Sequence, residues 1–261
     1  MKSGRVRALE RGLEVLLALG RLRSATVVAL ARATGLPRPT LYRLLETLQA
    51  AGMVARNESE HYRLTQRVRA LGDGYDEEDW ITRIARPALA ALGEDVAWPV
   101  SLFTFDAGRM LVRETTHHQS ALSVDYGMVG QRLPMLKTAA GRAYLAFCPE
   151  KERSAIVLLL ASSDDPDDST IHDWRRVAGV IRTARVDGYA TQQGEINRRT
   201  ASFSMPIAMP GPSPRVLGCI SVIWIASAST TGRIVQRYGA RVRQTTVQIA
   251  AACGLATAGA R

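Results

Sequence analysis

The sequence predicts an α+β chain in two parts. Residues 1–72 form a winged helix-turn-helix, 73–90 a linker helix, and 91–261 an α+β domain with a mostly antiparallel sheet. Three observations carry this prediction. Leucine-rich stretches of helical period, punctuated by glycines, fill the N-terminal region. Two short alternating runs around a polar turn follow them at once. From Trp98 onward, strand-like and helical runs interleave, with a hairpin signal at Asp106-Ala107-Gly108.

In chain order, Ala8–Leu19 reads as a first helix, with Leu9, Leu13, Leu16 and Leu17 on its packing side and Gly20 as its stop. Thr26 caps a second helix, Val27–Thr34, with Val27, Leu30 and Ala31 inward. Gly35 supplies a tight turn, and Leu36 plugs the angle between two helices. The third helix opens through two prolines. Pro39 suits a first helical position, where its missing N–H removes no bond. Leu41, Leu44, Leu45 and Leu48 fall at i, i+3, i+4 and i+7 and share one face. Pro39, Tyr42 and Arg43 point away from it, and Gly52 ends the helix. Met53–Arg56 and His61–Leu64 alternate as short strands around the turn Asn57–Glu60. Three helices followed by a hairpin make a winged helix-turn-helix.

Thr65–Leu71 fits a short helix. Asp73–Asp79 is an acidic break whose carboxylates oppose the positive end of a helix at Trp80–Leu92. Trp80, Ile84 and Leu89 offer that helix a packing stripe, and Pro87 kinks it or marks the start of the second domain. Strands are expected at 99–106 and 109–116, with a further extended piece at Ser123–Gly130. Lys137–Cys148 reads as a buried helix of small residues, and Glu150–Leu160 as another. A surface loop, Ser162–Asp168, precedes a helix at Asp173–Asp187 that stops at Gly188. Three strands follow, at 188–195, 200–209 and 216–226, with the loop Pro210–Pro214 inside them. Arg233–Cys253 is a long final helix.

Charge placement narrows the function. The chain carries +10, but residues 1–72 hold 13 Lys and Arg against five acids, leaving only +2 for the rest. Basic charge concentrated in one segment fits a polyanion, because phosphate contacts supply affinity independent of sequence; a solvated basic surface is the plainer alternative. No apolar run is long enough for a membrane span, and the N-terminus lacks a secretory pattern. A cytoplasmic protein is expected, with reduced cysteines at 148, 219 and 253 that lie far apart and carry no metal spacing. His117 and His118 are adjacent, so on a strand they face opposite sides, and no metal or other cofactor is expected. No nucleophile elbow, phosphate loop or dinucleotide fingerprint appears, so the chain reads as a non-enzyme.

Arg38, Pro39, Thr40, Tyr42 and Arg43 are the expected DNA readers. Arginine grips guanine O6 and N7, while Thr and Tyr reach phosphate or base edges. For Arg43 a phosphate contact or a bridge to Glu46 stays open. Arg56 and Arg63 reach phosphate or minor groove from the wing, or are simply solvated. In the second domain, Ser202, Ser221 and the N–H groups opening the Lys137–Cys148 helix can hold an anion. Leu133, Met135, Leu136 and Met205 form apolar wall or plain core. Arg113 can pair with a carboxylate or with neighbours of Glu114 across the hairpin.

The residues RALERGLEVLLAL, LARATGLPRPTLYRLLETLQAAGMV, YRLT, GQRLPMLKTAAGRAYLAF and VLGCISV, in that order, resemble the IclR family of bacterial transcription regulators over nearly the whole chain. VRETTHH, MVGQRLPMLKTAAGRAYLAFCPE and DEEDWI resemble more closely its regulators of phenylpropionate and other aromatic-acid catabolism. The resemblance implies a GAF-like effector-binding domain, a homodimer or dimer of dimers, and a pseudo-palindromic double-stranded DNA operator. It also implies a small carboxylic-acid effector, and an RNA polymerase contact if the protein activates. Carried over by position, the effector site involves Ala139, Ala140, Gln192, Ser202, Ser221 and Ile223. Ile223 beside Trp224 departs from members that bind very small acids and favours an aromatic ring. Two alternatives stay open: a regulator answering to a non-aromatic metabolite, and a nucleoid or nucleic-acid-binding protein without ligand control.

Overall fold

The computed structural model describes residues 6–72, 78–125, 128–209 and 215–259. Two compact units part between Glu77 and Glu78.

The first unit holds α1 (Arg7–Leu22), α2 (Val27–Thr34), α3 (Arg38–Ala50), β1 (Val54–Arg56) and β2 (Tyr62–Leu64). Thr26 Oγ1 accepts the Ala29 N–H at 3.3 Å and caps α2. Gly35, at φ +69°, returns its N–H to the Ala31 carbonyl, and a β-carbon there would strain the turn into α3. Pro39 sits in the first turn of α3. Leu41 and Leu45 are fully buried with Val15, Leu19, Leu30, Val54 and Tyr62, while Leu36, Leu44 and Leu48 pack at the edge of that core. β1 and β2 pair antiparallel, Ala55 opposite Arg63, and Ala25 bridges to Tyr62. Thr65–Leu71 is a tighter 3₁₀ helix, Gln66–Gly72.

Helix α1 corrects the expectation. Its core side is Val15, Ala18 and Leu19, whereas Leu9, Leu13 and Leu17 are 62, 49 and 68 % exposed. The helix carries two apolar stripes, and periodicity alone does not say which one packs. It also runs past Gly20 to Leu22 and ends at Arg23, whose φ of 61° breaks it.

The second unit opens with a helix whose hydrogen-bond pattern changes just before its proline. Ile81–Ala85 forms a π turn, followed by α4 (Arg86–Asp95). Pro87 cannot donate to the carbonyl four residues back, and the Arg86 N–H bonds instead to Ile81 O, five residues back. Ile81, Ala85, Leu89 and Leu92 are buried in this unit's own core.

The sheet comprises β3 (Val100–Asp106), β4 (Arg109–Thr115), β5 (Arg132–Pro134), β6 (Ala190–Gln193), β7 (Thr200–Met209) and β8 (Arg215–Ile225), in the order β5-β4-β3-β8-β7-β6. All its pairings are antiparallel. Ala107 and Gly108 both have positive φ, the requirement of the tight β3–β4 hairpin. One face packs α4 and α8 (Thr231–Gly259) through Leu102, Phe203, Ile220, Val222 and Trp224. The other packs α5 (Ala139–Phe147), α6 (Glu150–Ala161) and α7 (Trp174–Asp187) through Phe103, Ala190 and Cys219.

The extended piece expected at Ser123–Gly130 is replaced by irregular chain and a turn in its described residues, and the strand is β5, a few residues later. β5 is an edge strand, where Pro134 costs no ladder bond. The loop at Ser162–Asp168 runs into a 3₁₀ helix, Pro166–His172. The expected loop Pro210–Pro214 and residues 73–77 of the acidic break lie outside the described residues. Among the described residues no helix is long and apolar enough to cross a membrane.

Candidate nucleic-acid interface and ligand site

The outward face of α3 gathers the expected readers. Arg38, Pro39, Tyr42 and Arg43 are exposed, and Thr40 is half-buried. The Thr47 hydroxyl donates to the Arg43 carbonyl at 2.9 Å, which fixes backbone and leaves the guanidinium outward. Among the described residues Arg43 makes no ion pair, so the bridge to Glu46 left open by the sequence does not form. A groove of about 480 Å³ runs along this face, lined by Arg7 and Arg11 of α1 together with Pro39, Thr40, Arg43 and Thr47. Arg7 and Arg11 entered the sequence argument only as charge. Their i, i+4 spacing puts both on the side of α1 that flanks α3.

The wing residues differ from each other. Arg56 forms an ion pair with Glu60 and lies over the Tyr62 ring, 5.7 Å from its centroid. Much of its charge is therefore already engaged. Arg63 is exposed on β2.

In the second unit, residues facing each other across adjacent strands share a side of the sheet. Gln192, Ser202 and Ile223 are in register on β6, β7 and β8. The Gln192 amide donates to Ser202 Oγ at 3.1 Å. Two residues along lies a buried hydroxyl row that the sequence reading missed: Thr115, Ser101, Ser221 and Ser204, in register on β4, β3, β8 and β7. Ser101 Oγ is 2.8 Å from Thr115 Oγ1, and Ser221 donates to Ser204 at 2.9 Å. Ser204 in turn donates to the Ile220 carbonyl. The only sequence signal was serine alternating with apolar residues in β7 and β8. His117, also buried, holds Ser123 Oγ at 2.6 Å beyond the end of this row.

This side of the sheet is the one α5 covers. Thr138 caps α5 by accepting the Gly141 N–H at 3.0 Å, which leaves Ala139 and Ala140 in the first turn, where amides lack helical acceptors. Gly141 is sterically required, since a β-carbon there would lie 2.0 Å from the Met135 carbonyl oxygen. Arg142 clamps the same turn, donating to Leu136 O, Thr191 O and Glu195. Met135, Ala139 and Ala140 are buried here with Gln192, Ser202 and Ser221. Leu133 is not brought to Gln192: β5 and β6 are opposite edges of the sheet.

One further expectation changes. Trp224 packs toward α8, on the other face from Ile223, and so cannot line a ring site beside it. Arg113 donates to Glu78 at 3.0 Å and to Thr104, while Glu114 pairs with Arg86. The Trp80 indole and Arg113 together hold the Glu78 carboxyl below its ordinary range. All three cysteines are buried and unbridged, and burial pushes the Cys148 thiol up to about 11. Among the described residues no cluster of three or more His, Cys, Asp or Glu has metal-binding geometry.

Comparison with known proteins bears on both units. Residues 8–58 match the IclR helix-turn-helix domain, and residues 75–251 match the bacterial transcriptional regulator IclR C-terminal domain. The HTH-type transcriptional regulator TsaQ1/TsaQ2 of Comamonas testosteroni is 30 % identical over 80 % of this chain and 75 % of its own. KipR of Bacillus subtilis (strain 168), also an HTH-type transcriptional regulator, is 26 % identical over 70 % of this chain and 73 % of its own. A crystal structure of an IclR homolog from Microbacterium hydrocarbonoxydans, complexed with 4-hydroxybenzoate, shares the fold with a TM-score of 0.56 and 18 % identity, covering 94 % of this chain and 98 % of that one.

Proposed function

The chain belongs to the IclR family of DNA-binding transcription regulators, and on that premise we propose that α3 reads a pseudo-palindromic operator under the control of a small aromatic carboxylic acid. The observation that carries the DNA half is the exposed face of α3, where Pro39, Thr40 and Arg43 meet Arg7 and Arg11 around one groove, with Arg38 and Tyr42 also exposed on the same helix. Arg43 takes a base edge or a phosphate, and Arg38, Pro39, Thr40 and Tyr42 set the register on the duplex. Arg63 contacts backbone from the wing, with Arg56 contributing what its pairing to Glu60 leaves.

The effector half is supported by the polar set under α5. Gln192, Ser202 and Ser221 offer hydrogen bonds to a carboxylate or ring hydroxyl, and the Ala139 and Ala140 amides add donors at a helix N-terminus. Met135 and Ile223 supply apolar wall. The same fold accommodates 4-hydroxybenzoate in the Microbacterium hydrocarbonoxydans protein, an acid of this class.

Two copies reading two half-sites about one helical turn apart make affinity steep in the spacing of their α3 helices. The exposed leucines of α1 supply a surface through which copies pair. An effector acts only through unequal affinity for two conformations; here it shifts that spacing through the helix that carries the π turn at Ile81–Ala85. Titration of the DNA upstream of neighbouring genes, with and without hydroxylated aromatic acids, tests the proposal. Ligand-dependent change in affinity or footprint supports it, and binding indifferent to every acid and to DNA sequence refutes it.

A further inference from the structure

Helix α6 carries more apolar surface than its packing uses. Ile156, Val157, Leu158, Leu159 and Leu160 are consecutive, so they surround the helix. Ile156 and Leu160 are buried, yet Leu158 is 71 % exposed. Across from it on α7, Trp174 and Val186 are 50 and 81 % exposed. A helix apolar all round ordinarily has neighbours on every side. Between α6 and α7 lies a groove of about 830 Å³, lined by Val157, Leu158, Trp174, Ala178, Ile181 and Val186. That volume falls in the range of small-molecule sites, which are mostly apolar with a few placed polar groups.

The polar groups are asymmetric in charge. Among the described residues Glu150 is the one acid lining the groove, and Arg153 pairs with it while donating to the Leu145 and Cys148 carbonyls. Arg182 and Arg185 also line the groove, and no ion pair to either is present among the described residues. Arg185 is oriented by its Nε donation to the Ala146 carbonyl at 2.8 Å. Trp174 and Arg185 stand eleven residues apart on α7, about 16 Å along the axis. The groove is thus long, apolar along its length and cationic toward one end.

We propose that this groove is a second small-molecule site, distinct from the polar set under α5, that takes an unbranched medium-chain carboxylate. The chain lies along Val157, Leu158, Ile181 and Trp174, and the carboxylate meets Arg182 and Arg185, whose forked donors match its two oxygens. Calorimetric titration of the full chain with sodium decanoate below its micellar range tests this, with Trp174 emission as a second readout. The expected result is saturable binding of one decanoate per chain, at least tenfold weaker for Arg182→Glu, at least tenfold weaker for uncharged decanol, and an emission change lost in Trp174→Phe. Unsaturable uptake, or equal affinity for decanoate and decanol, overturns the proposal without reference to any variant. So does a drop in sedimentation coefficient on Leu158→Glu in ligand-free protein, which would show that a second copy covers the groove.

Discussion

Replacing Leu13 by Asp isolates the exposed stripe of α1. Leu9, Leu13 and Leu17 retain 62, 49 and 68 % of their exposure, a little under two whole leucine side chains per copy. Covering them in a two-fold pair is worth roughly 5–10 kcal/mol, at about 1.5–3 kcal/mol per leucine side chain. Association itself costs an estimated 4–15 kcal/mol, so the stripe supports pairing with little surplus. In a two-fold contact each substitution occurs twice on a self-complementary patch. Leu13→Asp removes the middle of the stripe and sets two carboxylates in it, each costing several kcal/mol to bury. A net loss above about 4 kcal/mol weakens pairing about a thousandfold. The fold survives, because Leu13 lies opposite the buried Val15, Ala18 and Leu19. Sedimentation of the full chain and anisotropy titration of a palindromic operator read the outcome. The expected result is a lighter species, or cooperative operator binding replaced by weak half-site binding, at an unchanged melting temperature. If mass, operator affinity and cooperativity all stay at wild-type values, the stripe is not a pairing surface.

Three other substitutions or conditions have definite outcomes. Asp168 is buried, takes both terminal nitrogens of Arg109 at 3.1 Å and accepts Ser163 Oγ at 2.7 Å, so Asp168→Ala leaves Arg109 with its more exposed partner, Asp165. Unfolding in urea should show a loss of roughly 1.5–3 kcal/mol at unchanged slope. Gln192→Leu takes the Nε2 donor from Ser202 and from any bound acid; calorimetry should show effector affinity falling about tenfold or more, with operator affinity in the absence of effector unchanged. Burial raises the Cys148 thiol to about 11 and drives Cys219 and Tyr144 upward as well, Tyr144 also through its bond to Glu152. In the folded state these groups keep protons that the unfolded chain releases. Their contribution is complete below about pH 8.5 and is lost as pH climbs through 11, so the urea midpoint should fall steadily across that interval.

The helix-turn-helix was legible because its signals are local. A capping Thr26, Gly35 in a left-handed turn and leucines at i, i+3, i+4 and i+7 each fix structure within a few residues. Pro87 likewise announced a distortion, realised as a π turn just before it. What needed the fold was the choice between equivalent faces. The α1 sequence offers Leu9, Leu13 and Leu17 on one side and Val15, Ala18 and Leu19 on the other, and only the packing of α3 decides between them. Strand β5 escaped because three residues with a proline give no alternation. Trp224 is next to Ile223 in sequence, but in a strand that adjacency places it on the opposite face, away from the ligand site. The hydroxyl row across Thr115, Ser101, Ser221 and Ser204 depends on the register of four strands far apart in the chain, and no local pattern encodes that.

The most direct measurement of the central claim is an operator titration of wild type and Arg43→Ala over a range of salt concentrations, with melting temperature as a control. Arg43 is exposed and, among the described residues, pairs with no acid, so its loss should cost at most about 0.5 kcal/mol of stability. A base contact predicts a loss of about 1–3 kcal/mol in affinity, roughly 5- to 150-fold, with relaxed sequence preference; a phosphate contact predicts a uniform loss and a salt slope smaller by about one. Full affinity and an unchanged slope in Arg43→Ala would contradict the claim that this face of α3 meets DNA.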